Sequence, residues 1–137
     1  MAAGDFRPIS GRLSVAMFTT GTAINEGELV EIESNLAIKA DAAIDANSFL
    51  GVCASTIDGA GQVAVYYDGI FEGTAGSAMD FGLGDLVYAG ASGEVLDTGT
   101  SGDFPIGRVV GTNPASAGTV QFSLISCLTS HPGEAKA

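Results

Sequence analysis

An all-β fold, a small single-domain barrel or sandwich, follows from three features of the sequence. In GQVAVYYDGIFEG, Gly61 to Gly73, Val63, Val65, Tyr67 and Phe71 recur every second residue opposite Gln62, Ala64, Tyr66, Asp68, Ile70 and Glu72. Successive side chains of an extended chain point to opposite faces, so this period marks a half-buried strand. Its β-branched and aromatic content agrees. The 20 glycines, against an average usage of about 7%, fall between short apolar runs, where an all-β chain needs tight turns. Finally, the chain echoes itself: FLGVCASTIDGAGQVAVYY from Phe49 and PIGRVVGTNPASAGTVQFSL from Pro105 share an aliphatic-Gly pair, a strand, a Gly-rich turn and an alternating strand. Leu50-Gly51 matches Ile106-Gly107, and Gly61 matches Gly118, which predicts two similar hairpins in a pseudo-symmetric domain rather than a solenoid.

Taken in order, residues 1–10, MAAGDFRPIS, show no periodicity, and Pro8 biases Arg7 toward extended backbone. They read as an arm, either a frayed end or a segment that adds to a neighbour's sheet edge. Residues 11–128 read as the β-domain. From Arg12 to Thr20, Leu13, Val15 and Met17 alternate with Ser14, Ala16 and Phe18, a first strand. In Glu26 to Glu33, Val30 and Ile32 lie on one side and Leu29, Glu31 and Glu33 on the other, so Glu31 and Glu33 are expected on a solvated face; no loop with calcium-ligand spacing surrounds them. Asn35 to Lys39 is a return strand, and Ala40 to Ser48 is a loop or one helical turn capped by Asp41. Phe49 to Thr56 runs through the turn Ile57 to Gly61 into the central strand, where Gly69 suggests a bulge or bend.

Thr74 to Gly84, rich in Gly, Ala and Ser, is expected as a long surface loop. Asp85 to Gly90 and Gly93 to Gly99 form a hairpin around Ala91-Ser92-Gly93. Pro105 to Gly111 then leads to the alternating Val120, Phe122 and Leu124. Residues 129–137, TSHPGEAKA, are polar and read as a flexible tail.

At 137 residues the chain suits one domain with its own core. Its net charge of −11 comes from 16 acidic against 5 dispersed basic residues. That argues against nucleic acid or an anionic membrane as partner, since both need clustered cations; acidity here serves solubility or a basic partner surface. No apolar run reaches the roughly 18 residues of a membrane-spanning helix. Leu13 to Phe18 is also shorter than the apolar core of a secretory signal, usually about 7 to 15 residues, and reads better as strand. Cys53 and Cys127 are too few for a disulfide framework and are not spaced as a zinc pair; buried thiols are the default, with a bridge between them left open.

Catalytic chemistry is missing from the pattern, and no cofactor or metal is expected. The single histidine, His131, lies in the polar tail, away from any fixed nucleophile. GLGDLV, Gly82 to Val87, lacks the third glycine of a dinucleotide fingerprint. Asp68, Asp80, Asp85, Asp97 and Asp103 include enough carboxylates for a glycosidase pair, but without Trp platforms they read as turn and edge residues. A carbohydrate-binding or adhesive β module on a virion or cell surface, with its site in the loops Thr74 to Gly84 and Gly111 to Gly118, is the alternative to a structural role.

FLGV, the Gly-rich turn, V-x-V-Y-Y-x-G-x-F at Val63 to Phe71, GDLVYAG with SGEV at Ser92 to Val95, PIGRVVG and GTVQFSL together resemble the small capsid decoration, or cement, proteins of tailed bacteriophages. The resemblance covers about Phe49 to Leu124; the Thr74 to Gly84 loop and the lack of a recognisable arm motif depart from it. It implies a β-barrel or β-tulip-like homotrimer, made in the host cytoplasm, that sits on the exterior of the virion capsid and clamps neighbouring major capsid protein subunits. On that reading the capsid-binding residues are Phe6, Arg7, Pro8, Ile9 and Arg12, with Phe6 the apolar anchor of an arm that orders on the capsid.

Overall fold

Two antiparallel strands of 14 residues each, β1 (Arg7–Thr20) and β5 (Gly61–Thr74), form the spine of the molecule. They pair from Arg7↔Glu72 at one end to Thr20↔Gly61 at the other. The structure is a computed structural model that describes residues 6–40, 48–76, 80–90, 93–97, 105–112 and 118–128. The other strands are β2 (Leu29–Glu33), β3 (Leu36–Lys39), β4 (Phe49–Cys53), β6 (Leu86–Ala89), β7 (Val95–Leu96), β8 (Gly107–Thr112) and β9 (Thr119–Leu124). Among the described residues they make one nine-stranded sheet in the order β1-β3-β2-β4-β5-β9-β8-β6-β7, and the extra β1–β5 pairing bends its first five strands into a barrel-like ring. That ring is closed between β1 and β3 by a single bridge, Thr20↔Ala37.

Each half of the sheet has its own core. Ile24, Val30, Ala37, Leu50, Cys53, Val63 and Val65 fill the ring, with Phe18, Ile32, Ile57 and Cys127 packed around them. Phe6, Leu29, Phe49, Val52, Phe71, Val87, Val95, Ile106, Val109, Val120, Phe122 and Leu124 belong to a second cluster under the other half. β5 serves both. Val65 points into the first cluster while Tyr66 and Phe71, five residues apart, both pack on the second. An odd separation on one face requires an irregularity between them. The register shifts where Ser14↔Asp68 gives way to Val15↔Tyr66, and Gly69 lies at φ 128°, with its N–H donating to Asp68 Oδ1 at 2.9 Å. The bend expected at Gly69 is therefore present.

The two hairpins match at their glycines, the second having one extra loop residue. A side chain on Gly51 would put its Cβ 1.8 Å from the Tyr66 carbonyl oxygen, and one on Gly107 would lie 2.6 Å from the Ser123 carbonyl oxygen. Aligning Gly61 with Gly118 makes Tyr66 the counterpart of Ser123, so both glycines let a facing strand approach at the same place. Val63 and Val65 serve one cluster, and their counterparts Val120 and Phe122 the other.

Three expectations are corrected. The arm assigned to residues 1–10 does not extend to Ser10: β1 begins at Arg7, five residues before the expected strand, and Phe6 is buried. Glu31 does not share a solvated face with Glu33; it is buried. Adjacent Leu29 and Val30 enter different clusters, so both faces of β2 are covered and its residues do not alternate between core and water. In the stretch Thr74 to Gly84, expected as a surface loop, the described residues on either side of 77–79 are tied to the body. Thr74 ends β5, Ala75 bridges to Val95, and Phe81 packs against the second cluster. The hairpin of β6 and β7 forms as expected, through Tyr88↔Leu96 and Ala89↔Val95. Residues Met1 to Asp5, the Asp41 cap, Ala91-Ser92, Asp103 and the tail with His131 lie outside the described residues.

Candidate functional site

The N-terminal end of β1 is fastened to the body by side chains that the sequence reading assigned to a partner. Phe6 donates its backbone N–H to Gly27 O at 2.9 Å. Its ring stands edge-on to Phe122, with centroids 5.9 Å apart and planes at 83°. Space for it exists because residue 73 is glycine: a Cβ there would come within 2.5 Å of the Phe6 ring. Arg7 lies directly across from Glu72. Its Nε and Nη2 both donate to Glu72 Oε1, at 3.0 and 2.6 Å. The Glu72 side chain is only 6% exposed, whereas that of Arg7 is 65% exposed, so the guanidinium caps a buried carboxylate from the solvent side.

The remaining candidates part company with these two. Pro8 pairs with Phe71 and is exposed, as is Ile9. Pro8 lacks an N–H, which an edge position tolerates. Arg12 lies within β1, where the register is irregular between Ser10 and Ser14. From Phe6 to Asn25 the chain holds two cations, Arg7 and Arg12, and no acid, unlike the strongly acidic remainder.

Further along β1 the alternation noted in the sequence acquires a direction. Leu13, Val15 and Met17 are 42%, 48% and 57% exposed, while Phe18 packs against the ring core. Across β5 their row faces Tyr66 and Ala64, the register partners of Val15 and Met17. Sequence reasoning marked the strand but did not single these residues out as surface; the available signal was the absence of any ionisable side chain from Leu13 to Asn25. A second apolar projection, Leu83, is 75% exposed at the tip of a tight turn. Gly82 N–H donates to Asp85 Oδ2 at 2.8 Å, Gly84 N–H to Val109 O at 2.8 Å, and Arg108 Nη1 to Gly84 O at 2.9 Å.

Three of the carboxylates weighed for catalysis hold turns. Asp68 and Asp85 each accept a nearby backbone N–H, and Asp97 Oδ2 accepts that of Asp80 at 3.0 Å. Among the described residues no group of three or more His, Cys, Asp and Glu is placed to hold a metal ion. Both cysteines are free. Cys127 N–H donates to Phe49 O at the far end of β4 from Cys53; four residues of strand span roughly 13 Å, beyond the roughly 4.4–6.8 Å Cα separation of a disulfide. Burial raises the pKa of both thiols above the ordinary 9.0, and for Cys53 the nearby Glu28 and Glu26 add to the rise.

A surface of exposed apolar side chains on strand and turn backbone suits contact with another macromolecule. The family model described as phage cement protein matches residues 9–124. No curated protein matches the chain.

Proposed function

Since the chain belongs to the phage cement protein family, we propose that it binds the outer surface of the phage head as a homotrimer and stabilises the lattice of the major capsid protein. It is a structural component, and its action is mass action: a ligand that binds the assembled lattice and not the separated subunits favours assembly in proportion to its occupancy. The observation that carries this reading is the N-terminal end of β1. There Phe6 and Arg7 are engaged in fastening the strand while Pro8 and Ile9 beside them are exposed; these two, with Arg12, are the contact assigned to the capsid. A contact on fixed backbone loses less conformational entropy on binding than a free arm does.

The test is co-sedimentation of the protein with empty expanded heads, comparing the wild type with Ile9→Asp and Arg12→Glu. Saturable binding by the wild type, weakened in both variants, is expected. Undiminished binding by both would move the contact elsewhere on the surface, and no binding by the wild type would refute the capsid role.

A further inference from the structure

We propose that the outward row of β1, Leu13, Val15 and Met17, is where copies of this chain meet one another. Three observations converge on that stretch. The first is exposure: these large apolar side chains are each more than two-fifths exposed and stand on one face, because they alternate with Ser14, Ala16 and Phe18. Contiguous apolar patches of this kind mark interaction surfaces.

The second is the strand edge. One side of β1 pairs with β5, without interruption from Val15 to Thr20, but the other meets β3 only at Thr20↔Ala37. Among the described residues no strand pairs with that edge from Leu13 to Thr19. Proteins guard such edges with charge, proline or a bulge; the register is irregular up to Ser14, but from Val15 to Thr19, VAMFT, it is regular and contains neither a charge nor a proline. An unguarded apolar edge fits a strand that is covered in the working assembly.

The third observation selects the occupant. Two copies, each of net charge −11, repel one another in most orientations. The segment Leu13 to Asn25 has no side chain charged at neutral pH, and neither does Gly61 to Tyr66, which supplies its β5 neighbours from Val15 to Thr20; Ser14 lies opposite Asp68. The outer register partners are Val15↔Tyr66, Met17↔Ala64 and Thr19↔Gln62, the last joined by a hydrogen bond from Gln62 Nε2 to Thr19 Oγ1 at 2.8 Å. A neutral apolar face loses least against an identical neutral face, whereas a partner selected to recognise an acidic protein would present cations to its carboxylates. The occupant is therefore a second copy of this chain.

This inference deepens the homotrimer part of the proposed function by placing the subunit contact, and its test separates the two. Sedimentation velocity of the full chain over a range of concentrations should show an oligomer. Val15→Glu and Met17→Glu should each weaken association by about tenfold or more, the effect of losing a buried anchor. Met17→Leu should preserve association, as should Leu83→Glu, which alters an exposed apolar side chain outside the row. Circular dichroism should be unchanged in all four, since the altered side chains are solvent-facing in the single chain. A wild type that stays monomeric at every concentration, or an oligomer indifferent to both glutamates, would overturn the proposal. So would a monomeric wild type whose binding to heads is abolished by Met17→Glu, because the row would then belong to the capsid contact. An oligomer that obeys these expectations but ignores heads would leave this inference standing and remove the capsid reading.

Discussion

Phe6 sits in a slot that Gly73 leaves open, its ring edge-on to Phe122. Residues near the start of the chain, in the middle and near its end thus meet in one contact, and β1 cannot leave β5 at this end without vacating it. Phe6→Ala should cost roughly 3–5 kcal/mol, the usual range for emptying a buried aromatic site, read as a lower urea midpoint with unchanged slope. Gly73→Ala should destabilise as well, since its Cβ would displace the same ring. A loss below roughly 1 kcal/mol for Phe6→Ala would mean that the slot collapses and the strand is held by other means.

Arg7 and Glu72 make a contact of a different kind. Arg7→Ala leaves the Glu72 carboxylate buried without its cap. The expected loss lies near the low end of the roughly 1.5–3 kcal/mol typical of hydrogen bonds to charged groups, because the guanidinium itself is well solvated. Adding Glu72→Gln to Arg7→Ala should recover part of that loss in a double-mutant cycle; strict additivity would show the pair uncoupled.

The hairpin echo makes a paired prediction. Gly51→Ala and Gly107→Ala both force a Cβ against a facing backbone carbonyl, and overpacking of this sort costs typically about 1–3 kcal/mol. Gly51→Ala should be the more severe, since its contact would be 1.8 Å against 2.6 Å. Gly59→Ala, with nothing within 4 Å of its Cβ, should be near neutral. Equal urea midpoints for all three variants would contradict the close approach.

These hairpins were also the part of the fold most legible in the sequence. Alternation at Val63–Phe71 and Val120–Leu124, with glycine at matching offsets, is local information. Phe6 was not legible. Nothing within residues 1–10 shows that its ring fits beside Gly73 and Phe122, which lie more than sixty residues away. Glu31 was misread because alternation implies one wet face, whereas β2 is buried from Leu29 to Glu31 and opens to solvent only at Glu33. In β1 the period identified the strand, but the side facing out is settled by the ring core around Val63 and Val65, which Phe18 joins.

Burial of the two thiols gives a pH dependence. Because their pKa values are raised, less thiolate is present at a given pH than in the unfolded chain, and alkylation by iodoacetamide at pH 8 should be slow in the native protein and fast in urea. The stabilisation from keeping these thiols neutral is complete below the ordinary thiol pKa of 9.0 and is lost as pH rises through the raised folded values. Native-state labelling as fast as in urea would show the thiols to be open to solvent.

The most direct test of the capsid role is the temperature at which empty expanded heads come apart, measured by light scattering as the protein is added. The account predicts a rise that grows with concentration and saturates at a fixed number of copies per head, and a smaller rise for Ile9→Asp. A disruption temperature that stays the same at every concentration of the folded wild type would contradict it.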